Sequence, residues 1–126
     1  MIKGEENKLA GNNNLVDGNF NKVKGDFNGL SGNLNNVFGE LNNLIGDKNN
    51  IAGNYNEIKG TSNTIEGAKN TVNGNENILK GDKNSVTGIQ NEITGNQNRV
   101  QKNNNKVAGN TNDVDGNLNS VIGNGN

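Results

Sequence analysis

The chain has 126 residues, a formal net charge of -1 and only 28% apolar residues, whereas ordinary globular domains have about 45–50%. It contains 34 asparagines and 19 glycines but no cysteine, histidine, proline or tryptophan. This composition excludes disulfides and thiol chemistry, and the near-neutral charge argues against nucleic acid or anionic lipid as a partner.

A seven-residue unit repeats along the entire chain without insertion or deletion. One column runs from Gly4 to Gly123, and 17 of its 18 positions are glycine, Lys102 being the exception. Asparagine occupies all 18 positions from Asn7 to Asn126, and Val, Ile or Leu occupies all 18 from Ile2 to Val121. The unit is therefore G-x-x-N-x-V/I/L-x, and it predicts a repeat architecture spanning residues 1–126 as a single domain.

The period of seven does not indicate a coiled coil, because only one column is reliably apolar and a coiled coil needs two. A glycine in every repeat would also cost a helix about 1 kcal/mol relative to alanine. The segment N-x-V/I/L-x instead predicts a short strand, since asparagine and the aliphatic residue are two apart and share one face. Glycine and the next two residues form the turn, where glycine supplies the positive φ that other residues resist.

Taken in chain order, the first predicted strand contains Ile2, the second Leu9, and a new one follows every seven residues as far as Val121. Two units make a coil of 14 residues with two opposed strands, and parallel pairing stacks about nine such coils at about 4.8 Å per coil. The predicted fold is an all-β solenoid, a two-sheet parallel β-roll about 43 Å long. Aliphatic and asparagine side chains form its interior, and each buried amide must bond to the neighbouring amide or to turn backbone.

The unit N-x-V/I/L-x-G, as in Asn84-Ser85-Val86-Thr87-Gly88, resembles the x-x-N-x-V-x-G repeat of ryegrass-type antifreeze or ice-recrystallisation-inhibition proteins. It resembles the longer head repeats of YadA-like trimeric adhesins less closely. The likeness to the antifreeze proteins extends over the whole chain and implies a left-handed β-roll that binds ice through a flat face rich in Thr, Ser and Val. The N-terminus lacks the apolar stretch of a signal peptide, and the resemblance is compatible with an extracellular location.

Function must lie on the outward positions, because the matching columns only build the scaffold. In the first half of the chain these positions hold large apolar side chains, which monomeric soluble proteins avoid exposing as a patch. We interpret them as a surface for self-association, side by side or end to end, or for a partner. The candidate association residues are Leu15, Phe20, Phe27, Leu34, Phe38, Leu41, Ile45 and Tyr55.

No motif for catalysis, a cofactor or a metal accompanies the repeat. Asp26, Asp47 and Asp82 share one turn column, but they are not consecutive and do not match the G-G-x-G-x-D calcium repeat. The glycines are not followed by the residues of a phosphate-binding loop. The sequence therefore predicts a protein that is not an enzyme.

Further along the chain, one group of outward residues is short, polar and uncharged. It is the candidate ice-binding face, Thr71, Asn73, Ser85 and Thr87. Two hypotheses follow. The chain is an ice-binding protein acting through this face, or it is a structural, adhesin-like β-roll that self-associates through its apolar residues and open ends.

Overall fold

The computed structural model describes all 126 residues, and its regular elements are 18 short strands. No helix is present, so none could cross a membrane. The strands form two nine-stranded sheets. Sheet A contains β1 Ile2–Lys3, β3 Leu15–Asp17, β5 Gly29–Ser31, β7 Asn43–Ile45, β9 Glu57–Lys59, β11 Thr71–Asn73, β13 Ser85–Thr87, β15 Arg99–Gln101 and β17 Asp113–Asp115. Sheet B contains β2 Lys8–Ala10, β4 Lys22–Lys24, β6 Asn36–Phe38, β8 Asn50–Ala52, β10 Thr64–Glu66, β12 Ile78–Lys80, β14 Glu92–Thr94, β16 Lys106–Ala108 and β18 Ser120–Ile122.

Neighbouring strands in each sheet are parallel, and every residue pairs with the residue fourteen positions away. Val72 of β11, for example, lies in register with Ile58 of β9 and with Val86 of β13. The chain therefore alternates between the sheets and completes one coil in fourteen residues. This confirms the two-sheet β-roll predicted from the repeat; its left-handed winding stays a prediction from the resemblance.

The interior contains a single ladder of aliphatic side chains contributed by both sheets. Fifteen of them form one cluster, and the partly buried Leu9 and Val121 pack against it at the two ends. Full burial of each such side chain stabilises the fold by about 1.5–3 kcal/mol. Because all these residues come from one column of the repeat, the core is narrow and continuous along the roll axis.

The asparagine column forms a second buried ladder, whose amides are hydrogen-bonded as Asn63 illustrates. The backbone N–H and Nδ2 of Asn63 both donate to Oδ1 of Asn49, at 2.9 and 3.0 Å, and Nδ2 also donates to the carbonyl of Gly74 at 2.8 Å. Oδ1 of Asn63 accepts the same two bonds from Asn77. Apart from Asn105 and the end coils, each amide thus bonds to both neighbouring coils and to turn backbone, so its burial leaves no orphan group.

The turns lie on two opposite edges of the roll. Edge one carries the turns from sheet A to sheet B, and edge two those from sheet B to sheet A. Column glycines have φ between 102° and 155°, as the sequence predicts. Glycine is also required by space, because a Cβ on Gly53 would lie only 1.8 Å from the carbonyl oxygen of Gly67 in the next coil.

A second residue of each turn also has a left-handed conformation, which the repeat pattern does not predict. The third residue of the turn has φ near 58°, as in Phe27, Leu41 and Tyr55. This conformation costs a residue with a Cβ about 1–2 kcal/mol. The coil below offsets the cost, because the backbone N–H of Tyr55 donates to the carbonyl of Glu40 at 3.0 Å.

The glycine column is interrupted at Lys102, on edge one, and the stacking changes there. Lys102 has φ 70°, outside the glycine range. The bond from the N–H of Gly116 to the carbonyl of Gln101 lengthens to 3.5 Å. Nδ2 of Asn105 bonds to Gln101 rather than to Asn91. A Cβ at this position therefore loosens one turn without breaking the ladder.

Candidate functional site

The four candidate ice-binding residues lie on the outer face of sheet A, in two adjacent strands. Thr71 pairs with Ser85 and Asn73 pairs with Thr87, and all four side chains are exposed. Their positions repeat at about 4.8 Å between the strands and about 6.7 Å along each strand. We call this group the hydroxyl patch.

The scaffold below the hydroxyl patch holds it rigidly. Val72 and Val86, between the exposed residues, are 1% exposed. The N–H of Thr71 donates to the carbonyl of Asn84 at 2.9 Å, and that of Ser85 to Asn98 at 2.8 Å. Because both ladders continue above and below, neither strand is an edge strand, and the outward side chains have a fixed spacing.

Charged residues bound the patch on both sides along the roll. Glu57 and Lys59 occupy the preceding strand, and Arg99 the following one. Nη1 of Arg99 donates to Oδ1 of Asp113 at 3.0 Å, so its guanidinium is directed to the strand beyond and away from Ser85. The hydroxyl patch therefore spans two strands.

Sheet B presents a different surface at the same height. Its neighbouring strands carry Glu66 and Lys80, with 3.9 Å between Oε2 and Nζ, and then Glu92 and Lys106, with 3.1 Å between the same atoms. Charged groups keep their water of hydration, because desolvating them is costly. Of the two faces, sheet A is therefore the less charged one in this part of the chain.

The candidate association residues are exposed or half-buried, and they lie on several sides of the roll. Phe20 and Leu34 stack on edge one, whereas Phe27, Leu41 and Tyr55 stack on edge two. The others lie on the sheets: Leu15 and Ile45 on sheet A, and Phe38, which is half-buried, on sheet B.

The apolar residues of sheet A surround a shallow depression in the N-terminal coils. Gly29 has no side chain between Leu15 below and Asn43 above, and this leaves a hollow of about 330 Å³ lined also by Leu30 and Ile45. The structure thus brings Leu15 and Ile45 to one hollow and places the stacked turn residues on the edges beside it.

The aspartates of the turn column have a structural contact. Oδ1 of Asp47 accepts the backbone N–H of Asn33 at 2.7 Å, and Oδ1 of Asp82 accepts that of Ala68 at 2.7 Å. Asp47 lies on edge one, whereas Asp26 and Asp82 lie on edge two and about four coils apart, so no two of them are neighbours. No group of three or more acidic side chains is close enough to bind a metal ion.

These aspartates belong to an outer ladder that was not predicted from the sequence. The residue after each column glycine is Asn or Asp in 13 of 18 repeats, and its Oδ1 accepts the backbone N–H of the equivalent residue one coil earlier, as in Asn96 to Asn110 at 2.8 Å. Enrichment of Asn and Asp in that column was the available signal. The ladder joins successive turns on both edges of the roll.

Two comparisons with known proteins complete these observations. The family model described as grass antifreeze β-roll matches residues 1–74 and again residues 58–126, which together span the chain. No curated protein matches the chain. Since the family match agrees with the fourteen-residue coil, the parallel sheets and the buried asparagine ladder, the chain belongs to the grass antifreeze β-roll family.

Proposed function

We propose that this protein binds ice through the outer face of sheet A, centred on the hydroxyl patch, and thereby slows the recrystallisation of ice. The observation that carries the proposal is the pairing of Thr71 with Ser85 and of Asn73 with Thr87 on a non-edge, charge-free part of the sheet. The family match supports ice as the ligand.

The proposed mechanism is adsorption by several weak contacts at fixed spacing, without a catalytic step. Hydroxyl and amide groups exchange hydrogen bonds with surface water at little net cost, whereas a charged group must give up tightly held hydration water. The backbone ladder fixes the two repeat distances of about 4.8 and 6.7 Å before the protein contacts ice. Little side-chain entropy is then lost on adsorption, because threonine and serine are short.

Ice-grain growth in frozen sucrose solution tests the proposal at micromolar protein. The wild-type chain is expected to keep the grains small, and the double variant Thr71→Lys/Thr87→Lys to lose most of that effect. Thr64→Lys/Thr94→Lys is the matched control, because these exposed threonines lie on sheet B in β10 and β14. Circular dichroism checks that both variants keep the wild-type β spectrum.

Two results would overturn the proposal. Ordinary coarsening in the presence of the wild-type chain would exclude ice-recrystallisation inhibition as the function. Equal loss in the sheet A and sheet B variants would retain ice binding but exclude the hydroxyl patch as its centre.

A second candidate function is self-association through the apolar residues of the N-terminal coils. The observation that favours it is their exposure, which is 56% for Phe27, 41% for Leu41 and 58% for Tyr55 in three successive turns of edge two. Such a stack is costly to leave in water. A second copy of the chain is the proposed partner.

Sedimentation velocity over a range of protein concentrations tests self-association. Phe27→Lys/Leu41→Lys is expected to shift the wild-type chain from oligomer to monomer. Gln97→Lys/Thr111→Lys adds the same charge at the same turn position of edge two, in later coils, and is expected to leave the oligomer intact. A wild-type chain that is monomeric at every concentration would exclude this function.

A further inference from the structure

Three lysines form a basic cluster on the outer face of sheet B, in its first two strands. Lys8 of β2 lies in register with Lys22 of β4, and Lys24 lies two residues further on the same face. All three are exposed. Like charges directly opposite each other in a sheet are destabilising, so this arrangement calls for a counter-charge.

The chain itself does not provide one. Lysines of sheet B in the later coils are paired with a carboxylate on the neighbouring strand, as Lys106 is with Glu92 at 3.1 Å. Lys8, Lys22 and Lys24 make no such pair. The acidic residues nearest in the chain are Glu6, Glu5 and Asp26, in the turns on either side, and Oδ1 of Asp26 instead accepts the backbone N–H of Asn12.

The cluster also has a concave shape. A shallow depression of about 160 Å³ is lined by the apolar stems of the three lysines together with Leu9, Ala10 and Val23. The small side chain of Ala10 leaves this space beside the longer lysines. Lys22 Nζ lies 5.4 Å from the centroid of the Phe38 ring on the next strand, which holds one ammonium group at the upper side of the cluster.

We propose that Lys8, Lys22 and Lys24 bind a phosphate-type oxyanion, either free or carried on a lipid headgroup; the net charge of -1 argues against attraction of the whole chain to anions, but it does not describe this local cluster. Lysine ammonium groups bind phosphate as point charges and need no bidentate geometry. The site is independent of the proposed ice-binding function, because sheet B faces away from sheet A. An anion bound there would leave the hydroxyl patch uncovered.

The test has two arms, each with the variant Lys22→Gln/Lys24→Gln and the control Lys69→Gln/Lys83→Gln. The control removes the same charge from two exposed lysines stacked on edge two. In the first arm, inorganic phosphate is titrated and amide shifts in β2 and β4 are followed by NMR. In the second, co-sedimentation is measured with phosphatidylcholine vesicles that contain phosphatidylserine, and with vesicles that lack it.

Binding is expected to weaken about fivefold in Lys22→Gln/Lys24→Gln and to stay unchanged in the control, since each exposed ion pair contributes little. It should largely disappear near 1 M salt, where the Debye length is about 3 Å. Phosphate-induced shifts confined to β2 and β4 would identify a site for the free ion. Co-sedimentation that depends on phosphatidylserine would identify a headgroup site.

Two results would overturn the proposal. The first is the absence of binding in both arms. The second is equal weakening by the edge-two control, which would reduce the effect to the total charge of the chain.

Discussion

The N-terminal and C-terminal coils have the same interior but different surfaces. Val37 and Val100 are both fully buried, and Asn35 and Asn98 are each 1% exposed with the same hydrogen-bond pattern. Outside, the early coils carry exposed Phe20 and unpaired lysines, whereas the later coils carry the hydroxyl patch and interstrand ion pairs. The difference shows that in this roll the scaffold and the surface chemistry are set by separate columns of the repeat.

Glycine substitution should have the largest effect on stability, and it compares a glycine of a turn with a glycine on a sheet face. Gly53→Ala would place a Cβ 1.8 Å from the carbonyl oxygen of Gly67, and the turn can relieve this clash only by shifting against the next coil, as the turn at Lys102 does. We expect a loss of more than about 4 kcal/mol or no folding. Gly29→Ala, whose Cβ would meet only the Asn43 side chain at 3.6 Å, should change the free energy of unfolding by less than about 0.5 kcal/mol. Urea unfolding of both variants measures the difference, and equal stability would contradict it.

The buried asparagines of the two halves have the same hydrogen bonds, so the same substitution in each half should lower the free energy of unfolding by the same amount. Asn35→Ala removes the acceptor of two bonds from Asn49 and the donor to Gly46, and Asn77→Ala removes the same set from Asn91 and Gly88. Each variant should lose about 2–4 kcal/mol, because buried groups are left unsatisfied. Thermal or urea unfolding compares them. A difference above about 1 kcal/mol would break the equivalence of the halves.

Lys102→Gly should raise stability, and it tests whether the interrupted turn is the weak one. Lys102 is a non-glycine residue at φ 70° in the column where glycine is the rule. Removing its Cβ should relieve about 1 kcal/mol of backbone strain. The cost is the exposed Lys102–Asp115 pair of 3.1 Å, which contributes less. A higher urea midpoint, with faster hydrogen exchange around Gly116 in the wild type than in the variant, is the expected result; a lower midpoint would show that the lysine stabilises the turn.

The smallest effect is expected from the ion pairs that distinguish the later coils. Glu92→Gln removes the exposed pair with Lys106, and it should cost less than about 0.5 kcal/mol, with the difference vanishing at high salt. Ser85→Ala, an uncharged change on the opposite face, is the control for loss of a surface polar group. A loss above about 1 kcal/mol from Glu92→Gln would mean that the surface pairs support the fold.

The repeat alone was sufficient to predict the strands, the fourteen-residue coil and the buried columns. Asn63 and Ile65 recur with a period of seven and are two apart, and no other regular structure buries both on one side of a short segment. Parallel stacking then follows, since it places each residue on its own counterpart and lets the amides of the asparagine column bond to one another. Residues that occupy one column in all repeats have the same environment, and for this reason the repeat predicts their structural role.

Tertiary structure decided what the variable columns do. The fourteen-residue coil already predicts from the sequence that Phe27, Leu41 and Tyr55 form one stack and that Phe20 stacks with Leu34; the structure adds that the two stacks lie on opposite edges of the roll. Asp82 reads as a free carboxylate until its contact with Ala68 in the preceding coil is seen. Likewise, Lys22 and Lys8 become an unpaired cluster only once neighbouring coils are aligned. The physical reason is that an outward side chain contacts residues fourteen positions away in the sequence, and these contacts exist only after the coils have stacked.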